Sequence, residues 1–226
     1  MKPIIGIPKK GDNESFYAML DSLITSTDYF DEIVIATPDD IEFTHPDFKH
    51  KIKFIKKDFK TPLEAYNCLF DYAKEKKKDL FLTQTDVLFP KLYKRDWLQI
   101  FSQIAQDEGI GAVTSLNGGG ISGSDYVEGM FWLGGWTTLI PYRTLVKVGK
   151  FDETFPLSAY GVDIDFSYRL QKSGLQIIRY NYWTDHHMMN ERLHDNDPDT
   201  EIHKQECAKY FRKKWKINTP LNVADK

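Results

Sequence analysis

Four groups of residues carry side chains and spacing suited to chemistry. The first is Gln84-Thr85-Asp86, directly after the strand-like run Leu80–Thr83. A carboxylate at the C-terminal end of a buried strand faces the crevice where α/β sheets bind ligands, although an aspartate there also caps the following turn. The second is Val162-Asp163-Ile164-Asp165, followed by Arg169. Asp163 stands at a helix start, where the helix dipole favours negative charge and a side chain can point out of the helix end. Asp165 and Arg169 are one turn apart and suited to pair along the helix. The segment reads equally as a helix cap plus an exposed ion pair. The third is Asp185-His186-His187, beyond the strand-like run 177–183. Imidazole and carboxylate ligands suit manganese or magnesium. The fourth is Thr37-Pro38-Asp39-Asp40, where carboxylates can accept hydrogen bonds from a nucleoside or simply build a turn.

These groups need elements to position them. Ile4–Ile7, Ile33–Ala36, Ile52–Ile55, Leu80–Leu82 and Gly111–Thr114 read as strands. Between them, Phe16, Met19, Leu20, Leu23 and Ile24 repeat at helical spacing behind Asn13, a candidate N-cap. Thr61-Pro62-Leu63-Glu64 opens a second helix, with Thr at N-cap, Pro at N1 and Glu at N3. Strands alternating with helices predict a mainly parallel α/β sheet. In the second half, 142–148, 163–172 (closed by Gly174) and 200–215 read as helices, and Ile177–Tyr180 as a strand. The glycine-rich run 117–124 reads either as a loose surface connection or as a lid over a bound ligand.

Composition bounds the function. The 226 residues fit one domain, with about 1–115 and 116–226 as two halves of different character. Thirty basic against thirty-three acidic residues give a formal charge of −3, which argues against nucleic acid as a partner. Mean hydropathy is −0.48, and no apolar run approaches the roughly 18 residues of a membrane span. Cys68 and Cys207 fit no metal spacing and read as free thiols of a cytoplasmic protein. Five Trp and twelve Tyr suggest a surface that stacks on ring-shaped ligands.

Together these residues resemble the GT-A nucleotide-sugar glycosyltransferases, specifically glycosyltransferase family 2, over nearly the whole chain. Ile4–Pro8 looks like that family's first strand. The stretch from Lys60 to Asn67, followed by Ala73, is similar to its donor-contacting segment, and Thr83–Phe89 to its strand-end DxD motif. Gly149-Lys150-Phe151-Asp152-Glu153 with Tyr160–Arg169 is close to its Gly-x-Phe-Asp-Glu and acidic helix-start pattern. The run from Ala208 to Trp215 resembles its C-terminal ending.

The resemblance implies a Rossmann-like GT-A sheet flanked by helices in a single domain. It implies transfer of a sugar from a nucleotide-diphosphate sugar to a hydroxyl of a glycan or other acceptor, with inversion at the anomeric carbon. Asp163 is then the catalytic base. Pro8, Asp39, Lys60, Asn67 and Thr85 serve the donor. Asp86 with His186 or His187 holds a divalent cation, Mn2+ or Mg2+. Gly135 and Trp136 lie on the acceptor side, where an indole face can stack on a sugar ring. Three positions depart from the pattern: Gln84 replaces the first acid of DxD, Thr37-Pro38 the paired carboxylates, and Val162 a Glu. They imply a reduced metal site or a shifted donor preference. Two other classes remain open, a nucleotidyltransferase, for which Lys9-Lys10-Gly11 is a faint echo of a phosphate loop, and a non-catalytic sugar- or nucleotide-binding module.

Overall fold

The computed structural model describes residues 1–11, 13–41, 52–92, 95–117, 127–130, 133, 137–155, 161–186 and 200–217. The chain runs β1 (Ile4–Pro8), α1 (Glu14–Ser26), β2 (Ile33–Thr37), β3 (Ile52–Lys56), α2 (Pro62–Lys76), β4 (Leu80–Leu82), β5 (Val87–Leu88), α3 (Trp97–Ile104), β6 (Ile110–Asn117), β7 (Val127–Met130), β8 (Thr138–Ile140), α4 (Tyr142–Lys147), α5 (Val162–Lys172), β9 (Gln176–His186) and α6 (Thr200–Trp215).

Alternation along the strands builds two cores, one on each face of the sheet. Ile4, Val34, Ala36, Leu80, Leu82 and Ala112 point to one face and pack with α2, α5 and α6. Their neighbours Ile5, Ile33, Ile35, Phe81 and Val113 point to the other and pack with α1 and α3. Period-two alternation with both sets apolar is the pattern of a sheet covered on both sides. On the second face Trp97 is sandwiched between Phe89 and Tyr182, with near-parallel rings at centroid distances of 5.3 and 4.8 Å.

The strand order is β3-β2-β1-β4-β8-β6-β9-β5, with β7 paired to β9. Six strands point one way; β5, β7 and β8 are antiparallel to their partners. The mainly parallel α/β sheet expected from the sequence is therefore present. The order reverses at β1, which has β2 on one side and β4 on the other, so the switch point that forms a ligand crevice lies between the carboxyl ends of β1 and β4.

Local signals hold in most places. The Thr61 hydroxyl accepts from the Glu64 N–H at 3.3 Å, and Glu64 returns a carboxylate to the Lys60 N–H at 2.9 Å, a capping box displaced by one residue at its return contact. Gly174 ends α5 at φ +73°. Asn13 differs from expectation. Its backbone is already right-handed helical and its side chain caps nothing, because capping needs an extended residue at that position. Four elements were not anticipated: β5, α3, β7 and β8. The strand expected at 177–183 extends as β9 to His186. The run 118–124, expected to be a loop or lid, lies outside the described residues. Among the described residues no helix is long and apolar enough to cross a membrane.

Helix α6 docks through one buried carboxylate. Asp165 is fully buried and accepts from Arg169 Nε at 2.9 Å, Lys214 Nζ at 2.7 Å and Trp215 Nε1 at 2.8 Å. The ion pair expected between Asp165 and Arg169 is thus one part of a larger clasp. Lys214 also reaches Asp152 at 2.7 Å, and Arg169 donates to the carbonyls of Val148 and Lys150. Phe155 on Tyr210 and Tyr168 on Phe211 and Trp215 fill the apolar part of the contact.

Two outcomes follow from this clasp. Asp165→Ala removes the fully buried partner and should cost about 3 kcal/mol in chemical denaturation, the low end of the range for a broken buried pair, because Lys214 and Arg169 keep some water. Burial alone would raise Asp152, but hydrogen bonds from Lys214 and Thr154 outweigh it and hold the carboxyl at about 2 against 3.8. Its contribution is therefore complete above about pH 4 and lost as pH falls towards 2. The melting temperature should fall through that window, and Asp152→Asn should flatten the slope.

Candidate active site

The site assembles at the carboxyl ends of the strands. Thr83, fully buried, closes β4 with its N–H on the Gly6 carbonyl at 3.2 Å. The chain turns through Gln84-Thr85-Asp86 and enters β5, which pairs antiparallel with the end of β9: Val87 opposite His186 and Leu88 opposite Asp185. Asp86 is thus the residue next to the one that faces His186. Two segments a hundred residues apart in the chain, both read as metal-binding, meet here in backbone register. His186 is the last residue of β9 rather than a residue beyond the strand; His187 lies outside the described residues. Asp86 and Thr85 are half-buried. Among the described residues no cluster of three His, Cys, Asp or Glu side chains gathers. Asp86 and His186 are the residues that would hold a hard divalent cation here, with its other oxygens coming from a diphosphate.

Gln84, at the position of the expected acid, has a local partner. Its side chain hydrogen-bonds the phenol of Tyr66, which burial pushes well above its ordinary value. Tyr66 comes from α2 and packs edge-on to Phe151 at 5.7 Å. A neutral amide suits this place, since a second carboxylate beside Asp86 and a buried phenol would add repulsion.

At the ends of β1 and β2, Lys9 and Asp39 form an ion pair. Lys9 Nζ donates to Asp39 Oδ2 at 2.8 Å and to the Gly11 carbonyl at 2.6 Å, and the Gly11 N–H reaches the same Oδ2 at 3.0 Å. The Lys9 hydrogen bond is the main cause that holds the Asp39 carboxyl below its ordinary value. Pro8 ends β1 opposite Ala36, half-buried.

Asp163 occupies the first turn of α5, whose N-cap is Gly161 at φ +80°, a conformation that favours glycine. Its Oδ1 accepts from the Ile164 N–H at 2.9 Å. Its carbonyl accepts from the Ser167 hydroxyl at 2.6 Å, and Ser167 in turn accepts from the Leu133 N–H at 2.9 Å. Leu133 directly precedes Gly134-Gly135-Trp136. Gly135 and Trp136 themselves lie outside the described residues, but both flanks of that segment are anchored. On the far side, the Thr137 carbonyl accepts from the Ser115 N–H and the Thr114 hydroxyl, each at 3.2 Å. Ser115 Oγ pairs with the Thr137 hydroxyl and, at 3.1 Å, with that of Thr184. One buried serine thus joins the flank of the 134–136 segment to the strand that ends at His186.

Of the residues expected at the donor, Asn67 has its side chain engaged elsewhere in the fold. Asn67 is buried in α2; Nδ2 donates to the Phe151 carbonyl at 2.9 Å and Glu153 Oε1 at 2.7 Å, while Oδ1 accepts from the Phe151 N–H at 2.9 Å. It ties α2 to the Gly149–Glu153 segment, which turns at Gly149 with φ +85°. Lys60 is exposed, with its N–H on Glu64. The sequence marks Lys9 only within the Lys9-Lys10-Gly11 run and does not single out Tyr66, Ser115, Ser167 or Thr184 for the site. Each is a common residue type, and only its partner sets its place here.

No protein-family profile and no curated protein sequence matches the chain. Its structure resembles solved ones, among them two glycosyltransferases. GalNAc-T7, solved with UDP, GalNAc and Mn2+, superposes with a TM-score of 0.61 at 13% identity, over 82% of this chain and 43% of that one. The mannosyltransferase PcManGT from Pyrobaculum calidifontis, in complex with GDP-Man and Mn2+, superposes with a TM-score of 0.66 at 15% identity, over 97% of this chain and 66% of that one. The chain thus spans less than two thirds of either. The strand order, the crevice beside β1 and these two likenesses identify the architecture as the GT-A fold of nucleotide-sugar glycosyltransferases.

Proposed function

We propose that this chain is a family 2-like glycosyltransferase that moves a sugar from a nucleotide-diphosphate sugar to an acceptor hydroxyl, with inversion and with the help of a divalent cation. The observation that carries the reading is the pairing of Val87 with His186, which brings the segment after β4 that holds Asp86 to the end of β9. The two similar structures, solved with UDP or GDP-Man and Mn2+, support the same substrate class.

The roles follow from position. Asp39 accepts a hydrogen bond from the nucleoside at the ends of β1 and β2, with Pro8 and Thr85 lining the crevice. Lys60 and Asn67 serve the donor from the start of α2, Asn67 by holding the 149–153 segment in place. Asp86 and one of His186 or His187 hold Mn2+ or Mg2+, which when bound neutralises charge on the departing diphosphate. Gly135 and Trp136 receive the acceptor. Asp163 takes the proton of the acceptor hydroxyl as its oxygen bonds the anomeric carbon, while the bond from that carbon to the diphosphate oxygen breaks on the opposite face.

A thermal-shift screen of nucleotides and nucleotide sugars with Mn2+ identifies the donor; a ligand at 100 times its Kd adds about 2.7 kcal/mol. With that donor, Asp163→Asn should cut turnover by about 10²–10⁴-fold and leave donor affinity within a few-fold. Near-normal turnover in this variant would refute the base assignment. Binding with no turnover in the unaltered chain would make it a binding module, and release of pyrophosphate from a nucleoside triphosphate would make it a nucleotidyltransferase. EDTA should abolish donor turnover and Mn2+ restore it; full activity in chelator would remove the cation from the scheme.

A further inference from the structure

Lys9 is placed the wrong way round for an ordinary lysine. Such side chains usually run their stems along apolar surface and raise the ammonium into water. Here the side chain is 1% exposed, and its partner Asp39 is 34% exposed. The cation lies inside, 5.9 Å from the Phe16 ring centroid, and the carboxylate is the partly exposed member of the pair. A methionine would fill the same space without the desolvation cost, and a pair whose anion stays wet does not recover that cost well. The hydrogen bonds are also one-sided. Lys9 Nζ and the Gly11 N–H both take Asp39 Oδ2, so Oδ1 accepts neither. The Asp39 N–H is held on the Thr37 hydroxyl at 3.0 Å, and the Lys9 N–H on the Ala36 carbonyl at 2.9 Å. The carboxylate is therefore fixed from below and behind, at the carboxyl ends of β1 and β2.

We propose that Lys9 is a positioning residue for the donor: from beneath the crevice it holds Asp39 in the orientation that presents Oδ1 to an N–H or O–H of the nucleoside. This rests on the reading of the chain as a nucleotide-sugar transferase. An ionised acceptor in a fixed place spares the nucleoside the cost of ordering it, and its hydrogen bond is of the stronger, charge-assisted kind. Lys9 touches no part of the substrate in this scheme. Its effect passes through Asp39 and falls on donor affinity rather than on the bond-making step.

The test measures the Kd of UDP and of GDP by calorimetry, with circular dichroism on each variant to show that it is folded. Lys9→Met should weaken the nucleotide that the unaltered chain prefers by at least about ten-fold, the scale of one charge-assisted hydrogen bond. Lys9→Arg, which keeps the cation, should recover to within about three-fold. Asp39→Asn should weaken binding similarly, and Lys9→Met combined with Asp39→Asn should be no worse than Asp39→Asn alone, since one interaction cannot be lost twice. A merely structural Lys9 would lower the melting temperature and leave the Kd of the folded variant unchanged. Folded Lys9→Met with a Kd within two-fold of the unaltered chain overturns the proposal, as do additive losses in the double variant. A Lys9→Met chain that cannot fold assigns Lys9 to the fold alone and overturns it too. Failure of the unaltered chain to bind UDP or GDP overturns the donor reading itself, which these variants then distinguish from a failure of Lys9.

Discussion

The pairing of β9 is the constraint on which the rest of the site depends. Its eleven residues must find hydrogen-bond partners along two edges, because an unpaired backbone group in the interior is costly. No one strand supplies them. β6 runs parallel along it with two register shifts, β7 pairs antiparallel with its first half, and β5 with its last two residues. The second shift leaves three residues, Tyr180–Tyr182, opposite one, and this bulge re-aims the strand. Tyr180 and Tyr182 then pack into the core around Trp97 and Phe101, while the strand continues to Asp185 and His186. The two-residue β5 exists because that continuation offers it an edge. It fixes where Asp86 can be.

The second half of the chain is held by charge as much as by apolar burial. Asp165 gives up its water and receives three donors in return, from Arg169, Lys214 and Trp215. A buried carboxylate with fewer partners would be a liability. With this set it joins α5, α6 and the Gly149–Glu153 segment in one clasp. The helix start that carries Asp163 is positioned by that clasp from below and by Ser167 and Leu133 from the side.

Small hydroxyls do comparable work around the crevice. Thr83, Thr114, Ser115, Thr137 and Thr184 are buried at the ends of β4, β6, β8 and β9. Each satisfies its hydroxyl on a neighbouring strand or in its own turn, so the layer beneath the site is polar yet closed. Such a layer fixes strand ends in register more specifically than apolar packing, whose energy is non-directional.

The sequence by itself determined the period-two alternation of β1, β2 and β4, the capped start of α2, the helical repeats of α1, α5 and α6, and hence a mainly parallel sheet. These are local: backbone sterics, capping and apolar spacing act within a turn or a strand, so they are written in neighbouring residues. It also marked Asp86, Asp163 and the histidine pair, because strand ends and helix starts are where such side chains can reach a ligand. Only the tertiary structure decided that Val87 lies opposite His186, that Asn67 spends its amide on Phe151 and Glu153, that Gln84 meets Tyr66, and that Lys9 is buried beneath Asp39. β5, β7 and β8 belong to the same group, as strands of two to four residues with too little pattern of their own. Each of these depends on a partner tens of residues away, and a hydrogen bond or ion pair across that distance leaves no periodicity in either segment alone.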